Sequence, residues 1–270
     1  MSGFVPSDRS RTMSATRPER VAPPERRILA QEIWLVLALS LGASAVYAVL
    51  DLVRSLSSGR SLHAQTAVIN APAAAGSLLQ LAYQLVGTAV AVVPVLLVGF
   101  LLGRSGESFK SIGLDTREPL KETAWGAGLA AVVGGAGLAL YLGAYHAGLN
   151  VRVVPTTLPA VWWRIPALVL AAAENGLLEE VVICGYLIHR LEQLGWSENK
   201  SLLTSAVLRG SYHLYQGFGG FAGNVVMGLL FGRLYQRQRR LPRLVIAHTL
   251  IDTGAFVGYV LLKGRVSWIP

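Results

Sequence analysis

Of the 270 residues, 53% are hydrophobic and 14% charged, whereas a soluble domain carries about 25% charged residues; the chain is too apolar for a soluble domain of this length, and lipid is the expected solvent. The formal net charge of +9 would suit nucleic acid only on the basic face of a soluble module, and here the basic residues fall between apolar runs, so no nucleic-acid partner is expected. A single cysteine, Cys184, excludes an intrachain disulfide.

Residues 1–29 are polar and rich in Pro, Arg and Ser. They read as a disordered cytoplasmic tail rather than a cleavable signal, and Asp8, Glu19 and Glu25 argue against a transit peptide. A membrane crossing needs about 20 apolar helical residues. Candidates follow near 33–53, 76–103, 123–146, 163–190, 201–215, 218–236 and 243–262, the fifth shorter than a full crossing. The expected fold is an all-α, multi-pass transmembrane helical bundle of about seven spans, forming one integral membrane domain over 30–270. Segments 1–30, 104–122, 190–200 and 233–243 hold 17 of the 24 basic residues, and the opposite loops hold six. The positive-inside rule therefore places the N-terminus in the cytoplasm of a multi-pass cell-membrane protein. Ser105 to Glu122 mixes Phe109, Ile112, Leu114 and Leu120 with charges, which suits a connector at the interface.

Ionisable residues inside spans cost roughly 2.5–3.5 kcal/mol each, so those retained carry a functional hypothesis. They gather in the last 110 residues of the chain. The fourth span places Glu174, Glu179 and Glu180 within seven residues. At α-helical spacing Asn175, Glu179, Val182, Tyr186 and His189 share one stripe, and Glu180 points about 100° away beside Cys184, which gives the two glutamates separate tasks. Arg209 and His213 stand at i, i+4 on the fifth span, and His248 and Asp252 at the same spacing on the seventh. Two histidines with a carboxylate can bind zinc; equally, they can polarise a carbonyl and stabilise an oxyanion while Glu179 activates water. His189, with Arg190 and Glu192, reads as a membrane edge, Glu174 and Asn175 as a polar lining, and the run Arg233, Arg237, Arg239, Arg240 and Arg243 as a topological signal. Depth is inconsistent across the set: counted from the nearest basic residue, Glu179 lies roughly 16 Å in, His213 roughly 20 Å and His248 only roughly 8 Å. Either the seventh helix begins deeper than Arg243 suggests, or the fifth starts outside the lipid.

Glu179-Glu180 followed by Gly185-Tyr186, then Ser211 to Gly217, then His248 to Asp252, resemble the CPBP family, the CAAX-protease and bacteriocin-processing intramembrane proteases. Counterparts of its motifs EExxxR, FxxxH and HxxxN or HxxxD can be located here in that order within 174–260. The resemblance implies an intramembrane endopeptidase acting on a membrane-associated protein or peptide, glutamate-dependent or metal-dependent. Glu179 is then the catalytic base that activates water, supported by Glu180, with His213, His248 and Asp252 completing the catalytic site. Should a metal such as zinc take part, Glu179, His213 and His248 are its candidate ligands. Two positions depart from the motifs: Cys184 stands where the arginine belongs and Arg209 where the phenylalanine belongs. Arg209 is therefore expected to reach across and bind Glu180, because an unpaired arginine at this depth is costly. Two rivals stand beside this reading. A proton-coupled transporter would place further charges in the first three spans, which hold little beyond Asp51 and His146 near their ends. A non-catalytic immunity or scaffold protein would fit the altered motif positions.

Overall fold

The computed structural model describes residues 18–266; most of the expected tail lies outside the described residues. The first helix, α1 (Pro23–Ala38), begins inside the segment expected to be tail, with prolines in its first turn, where a missing N–H costs nothing. It breaks at Ser40 and continues as α2 (Leu41–Ser57), the two axes bent by 52°. Next come α3 (Ser77–Ala91) and α4 (Val93–Arg104), with Pro94 at the start of α4. α5 (Pro119–His146) follows, then α6 (Arg164–Glu179), which passes without a loop into a π-helical segment, Glu180–Leu187, and α7 (Ile188–Gln193). α8 (Glu198–Ser211), α9 (Phe218–Gln238) and α10 (Pro242–Leu262) complete the bundle.

The fold is a helical bundle, with two corrections to expectation. It is not all-α: β1 (Thr66–Asn70) and β2 (Arg152–Thr156) form a parallel pair with Thr66 opposite Arg152, and Asn70 Nδ2 donates to the Pro155 carbonyl at 2.9 Å. Two segments between helices satisfy each other's backbone this way. Nor is the count of about seven spans supported. Among the described residues three helices are long and apolar enough to cross a membrane, Ser77–Arg104 taken as one, Pro119–His146 and Pro242–Leu262, or four if the bent α1–α2 pair is one span. The expected segments from 163 to 236 do form helices, but none of these is both long and apolar enough to qualify.

Apolar residues cover the outside as well as the inside. Trp34, Tyr47, Leu78, Val86, Leu96 and Val132 are all more than half exposed, an arrangement that is stable in lipid and not in water. The core is built around the π-helical segment, every residue of which is buried. Val181, Val182, Ile183 and Leu187 pack there with Val98 and Leu102 of α4, Phe231 and Tyr235 of α9, and Leu244 and Ala247 of α10.

The connector between α4 and α5 is tied down by charge. His189 Nε2 donates to Glu107 Oε1 at 2.6 Å, and Arg190 Nη1 donates to Glu107 Oε2 at 2.6 Å. Burial raises the Glu107 carboxyl, but the His189 hydrogen bond and the charges of His189 and Arg190 outweigh it and hold the group at about 2. Asp115, bonded to Arg117 and Arg240, is likewise held at about 2. His189 and Arg190 are therefore buried network members rather than the membrane edge they resembled. Three of the run of arginines are engaged in the same way: Arg239 pairs with Glu192, Arg240 with Asp115 and Glu122, and Arg243 with Glu122 at 2.7 Å.

Candidate active site

α6 approaches α10 closely because Gly176 has no side chain; a Cβ there would lie 2.7 Å from Thr249 Oγ1 and 2.9 Å from its backbone nitrogen. That contact brings Glu180, one turn further along, against His248, the residue before Thr249. The change to π-helix begins at Glu180, so i→i+5 bonding replaces the α-helical register from this point. The expected stripe holds only as far as Glu179. Beyond it Tyr186 donates to Glu32 at 2.7 Å and His189 binds Glu107, both away from the glutamates' partners.

Glu180 is fully buried. Its Oε1 accepts from Arg209 Nη2 at 2.6 Å and from His248 Nδ1 at 2.8 Å. The expected reach of Arg209 across to Glu180 is formed, and the same Nη2 lies 3.8 Å from Cys184 Sγ. The guanidinium therefore sits beside the small residue that stands at the motif's arginine position. Gly228 of α9 makes room for the arginine stem, since a Cβ there would lie 3.3 Å from Arg209 Cδ, and the Phe231 ring lies 5.7 Å from the guanidinium carbon.

Glu179 is held from one side only. Tyr212 Oη donates to its Oε2 at 2.7 Å, and Arg209 Nη1 stands 3.9 Å from the same oxygen. Oε1 accepts no hydrogen bond among the described residues, and the side chain keeps 11% of its surface exposed. His213 Nδ1 donates to the Arg209 carbonyl at 2.9 Å, which can only accept; the neutral tautomer so assigned leaves Nε2 as an acceptor. The His213 ring lies 4.8 Å from that of Tyr212, whose hydroxyl binds Glu179. His248 Nε2 lies 3.8 Å from Asp252 Oδ1, and Asn175 Nδ2 donates to Asp252 Oδ2 at 3.2 Å.

All five expected catalytic positions and Arg209 thus fall in one neighbourhood, carried by α6 with its π-helical continuation, by α8 with its C-terminal turn, and by α10. Sequence reasoning passed over Tyr212 and set Asn175 aside as lining. Tyr212 carried one signal, its place at i+3 from Arg209 and next to His213. Arg243, the charge from which the depth of His248 was counted, is buried against Glu122.

A metal would need converging donors. Among the described residues no three His, Cys, Asp or Glu side chains stand close enough to hold one. His248 Nδ1 is bonded to Glu180, and a guanidinium faces the Glu179 oxygen. The set Glu179, His213 and His248 does not fit a metal in this arrangement.

Fold and site together define a helical membrane protein with a buried glutamate–histidine–arginine centre. Residues 160–254 match the family model of the type II CAAX prenyl endopeptidases, Rce1-like. The match covers about a third of the chain and agrees with the resemblance read from the three motifs. No curated protein and no solved structure matches the chain.

Proposed function

We propose that the protein is an intramembrane endopeptidase that hydrolyses a peptide bond of a membrane-associated protein or peptide, with Glu179 as general base. The observation that carries this reading is the asymmetry of the Glu179 carboxylate, whose Oε2 is pinned by Tyr212 while Oε1 accepts no hydrogen bond among the described residues and the side chain stays partly exposed. An oxygen so presented can take a proton from water. His213 Nε2, an acceptor in the assigned tautomer, orients that water by accepting its second proton in a hydrogen bond. Water attacks the scissile carbonyl carbon and Glu179 takes its proton. The carbonyl oxygen becomes an oxyanion, which His248 Nε2–H stabilises while Glu180 holds the opposite ring nitrogen. Collapse of the tetrahedral intermediate breaks the C–N bond, and Glu179 returns the proton to the leaving amine. Asp252, oriented by Asn175, steadies His248 from the next turn.

The N-terminus and the Glu107 and Arg239–Arg243 networks lie on the cytoplasmic side of the cell membrane in this reading, with α1–α2 and the helices from α6 to α9 completing the membrane domain beside the three longest spans. The transporter and scaffold readings gain no support from the family match. The test is incubation of the purified protein in proteoliposomes with membrane-anchored peptides, followed by mass spectrometry. New peptide termini are expected with the wild type and absent with Glu179→Ala; no new termini with either would overturn the proposal.

A further inference from the structure

We infer that Tyr212 is a positioning residue for the base, holding the Glu179 carboxylate off Arg209 so that Oε1 stays available to water; the inference rests on the peptidase reading. Arg209 faces both glutamates from α8. Its Nη2 is spent on Glu180 at 2.6 Å, but Nη1 and Nε have no hydrogen-bond partner and Nη1 is 3.9 Å from Glu179 Oε2. That gap is slightly too long for a hydrogen bond, and a charge-assisted pair stands one small side-chain rotation away. Closing it would add a charge-assisted hydrogen bond from the guanidinium to Glu179 and lower the basicity of its carboxylate.

Tyr212 occupies the oxygen that would close. Its hydroxyl donates to Oε2 at 2.7 Å, and the ring that carries it is fixed. Tyr212 is buried, its backbone N–H is bonded to the Leu208 carbonyl at the end of α8, and its ring lies 4.8 Å from that of His213. A phenol is neutral, so it directs the carboxylate without cancelling its charge. The need for it follows from this chain's own departure. Once the cation is carried at Arg209, on the helix that faces both glutamates, Glu180 gains a partner and Glu179 gains a competitor. Arg209, Tyr212 and His213 at i, i+3 and i+4 then divide the work, one group for each carboxylate and one for the water.

The test compares Tyr212→Phe, which removes only the hydroxyl, with Tyr215→Phe, whose hydroxyl accepts from Gln216 Nε2 at 2.9 Å and does not touch Glu179. Two quantities are read in the full-length protein. One is peptidase kinetics, where Tyr212→Phe is expected to lower kcat about 10- to 100-fold with KM unchanged, the effect of losing one charge-assisted hydrogen bond. The other is the infrared carboxylate stretch of Glu179, isolated by subtracting Glu179→Gln, which is expected to move in Tyr212→Phe and stay in place in Tyr215→Phe. An unmoved Glu179 band in Tyr212→Phe, or an equal change in Tyr215→Phe, overturns the inference. A moved band in a protein without peptidase activity upholds the Tyr212 contact and refutes the peptidase reading, so the two failures are separable.

Discussion

Replacing Arg209 by phenylalanine, the residue that the family motif carries at this position, removes the cation from a pair in which both side chains are fully buried and 2.6 Å apart. Breaking such a pair leaves an uncompensated buried carboxylate and costs about 3–5 kcal/mol. Glu180 keeps its hydrogen bond from His248 and can take up a proton, so the lower end, about 3 kcal/mol, is expected. At about 2–4 °C per kcal/mol for a chain of this size, that is a fall in Tm on the order of 10 °C. The informative companion is the double variant Cys184→Arg/Arg209→Phe. The Arg209 guanidinium lies 3.8 Å from Cys184 Sγ, so an arginine at 184 starts from the place the cation already occupies, and it grows into volume that Arg209 vacates. The double variant is expected to recover more than half of the lost Tm, and Cys184→Arg alone to be destabilised by a second buried cation. Thermal denaturation of the detergent-purified proteins reads all three. Arg209→Phe melting with the wild type, or the double variant melting below Arg209→Phe, would refute the reasoning.

The closeness of α6 and α10 predicts that Gly176→Ala costs about 1–3 kcal/mol, because a Cβ meets Thr249 backbone and cannot be accommodated by side-chain rotation; a melting temperature equal to the wild type's would contradict this. Asp252→Asn should keep activity within a few-fold, since its amide oxygen can still accept from Asn175 and the family motif admits asparagine, whereas Asp252→Ala should lose most of it in the same peptide assay. The Glu107 network predicts a pH dependence. With its carboxyl lowered from 4.5 to about 2, Glu107 contributes stability that is complete above about 4.5 and is lost as pH falls from there towards about 2. Glu107→Gln should therefore melt lower than the wild type at neutral pH and show a shallower decline on acidification; parallel melting curves across that window would count against the pairing.

Most of the candidate site was legible because polar residues in apolar helices stand out one by one, and the i, i+4 spacing of His248 with Asp252 survives in ordinary α-helix while that of Arg209 with His213 runs over the end of α8. The reach of Arg209 to Glu180 was legible for an energetic reason: a buried arginine must find a carboxylate. What escaped has physical causes too. Nothing in Glu180–Leu187 announces i→i+5 bonding, because β-branched and aromatic residues fit either helix, and the stripe through Tyr186 and His189 was drawn with the wrong period. The β1–β2 pair joins segments more than 80 residues apart, so no local pattern reveals it. His189 and Arg190 resembled a membrane edge because Glu107, their partner, is remote in sequence. Tyr212 was overlooked since tyrosine in a membrane helix is ordinary, and its task becomes visible only with the Glu179 oxygen beside it.

The central claim, that Glu179 Oε1 activates the attacking water, is tested most directly by single-turnover cleavage of a membrane-anchored peptide in proteoliposomes, comparing wild type with Glu179→Ala, each with and without a chelator. Loss of a general base is worth about 10²- to 10⁴-fold. A fall of that size in Glu179→Ala, with wild-type rates indifferent to the chelator, is the predicted result; cleavage by Glu179→Ala at the wild-type rate, or a wild-type activity abolished by the chelator and restored by added metal, would contradict it.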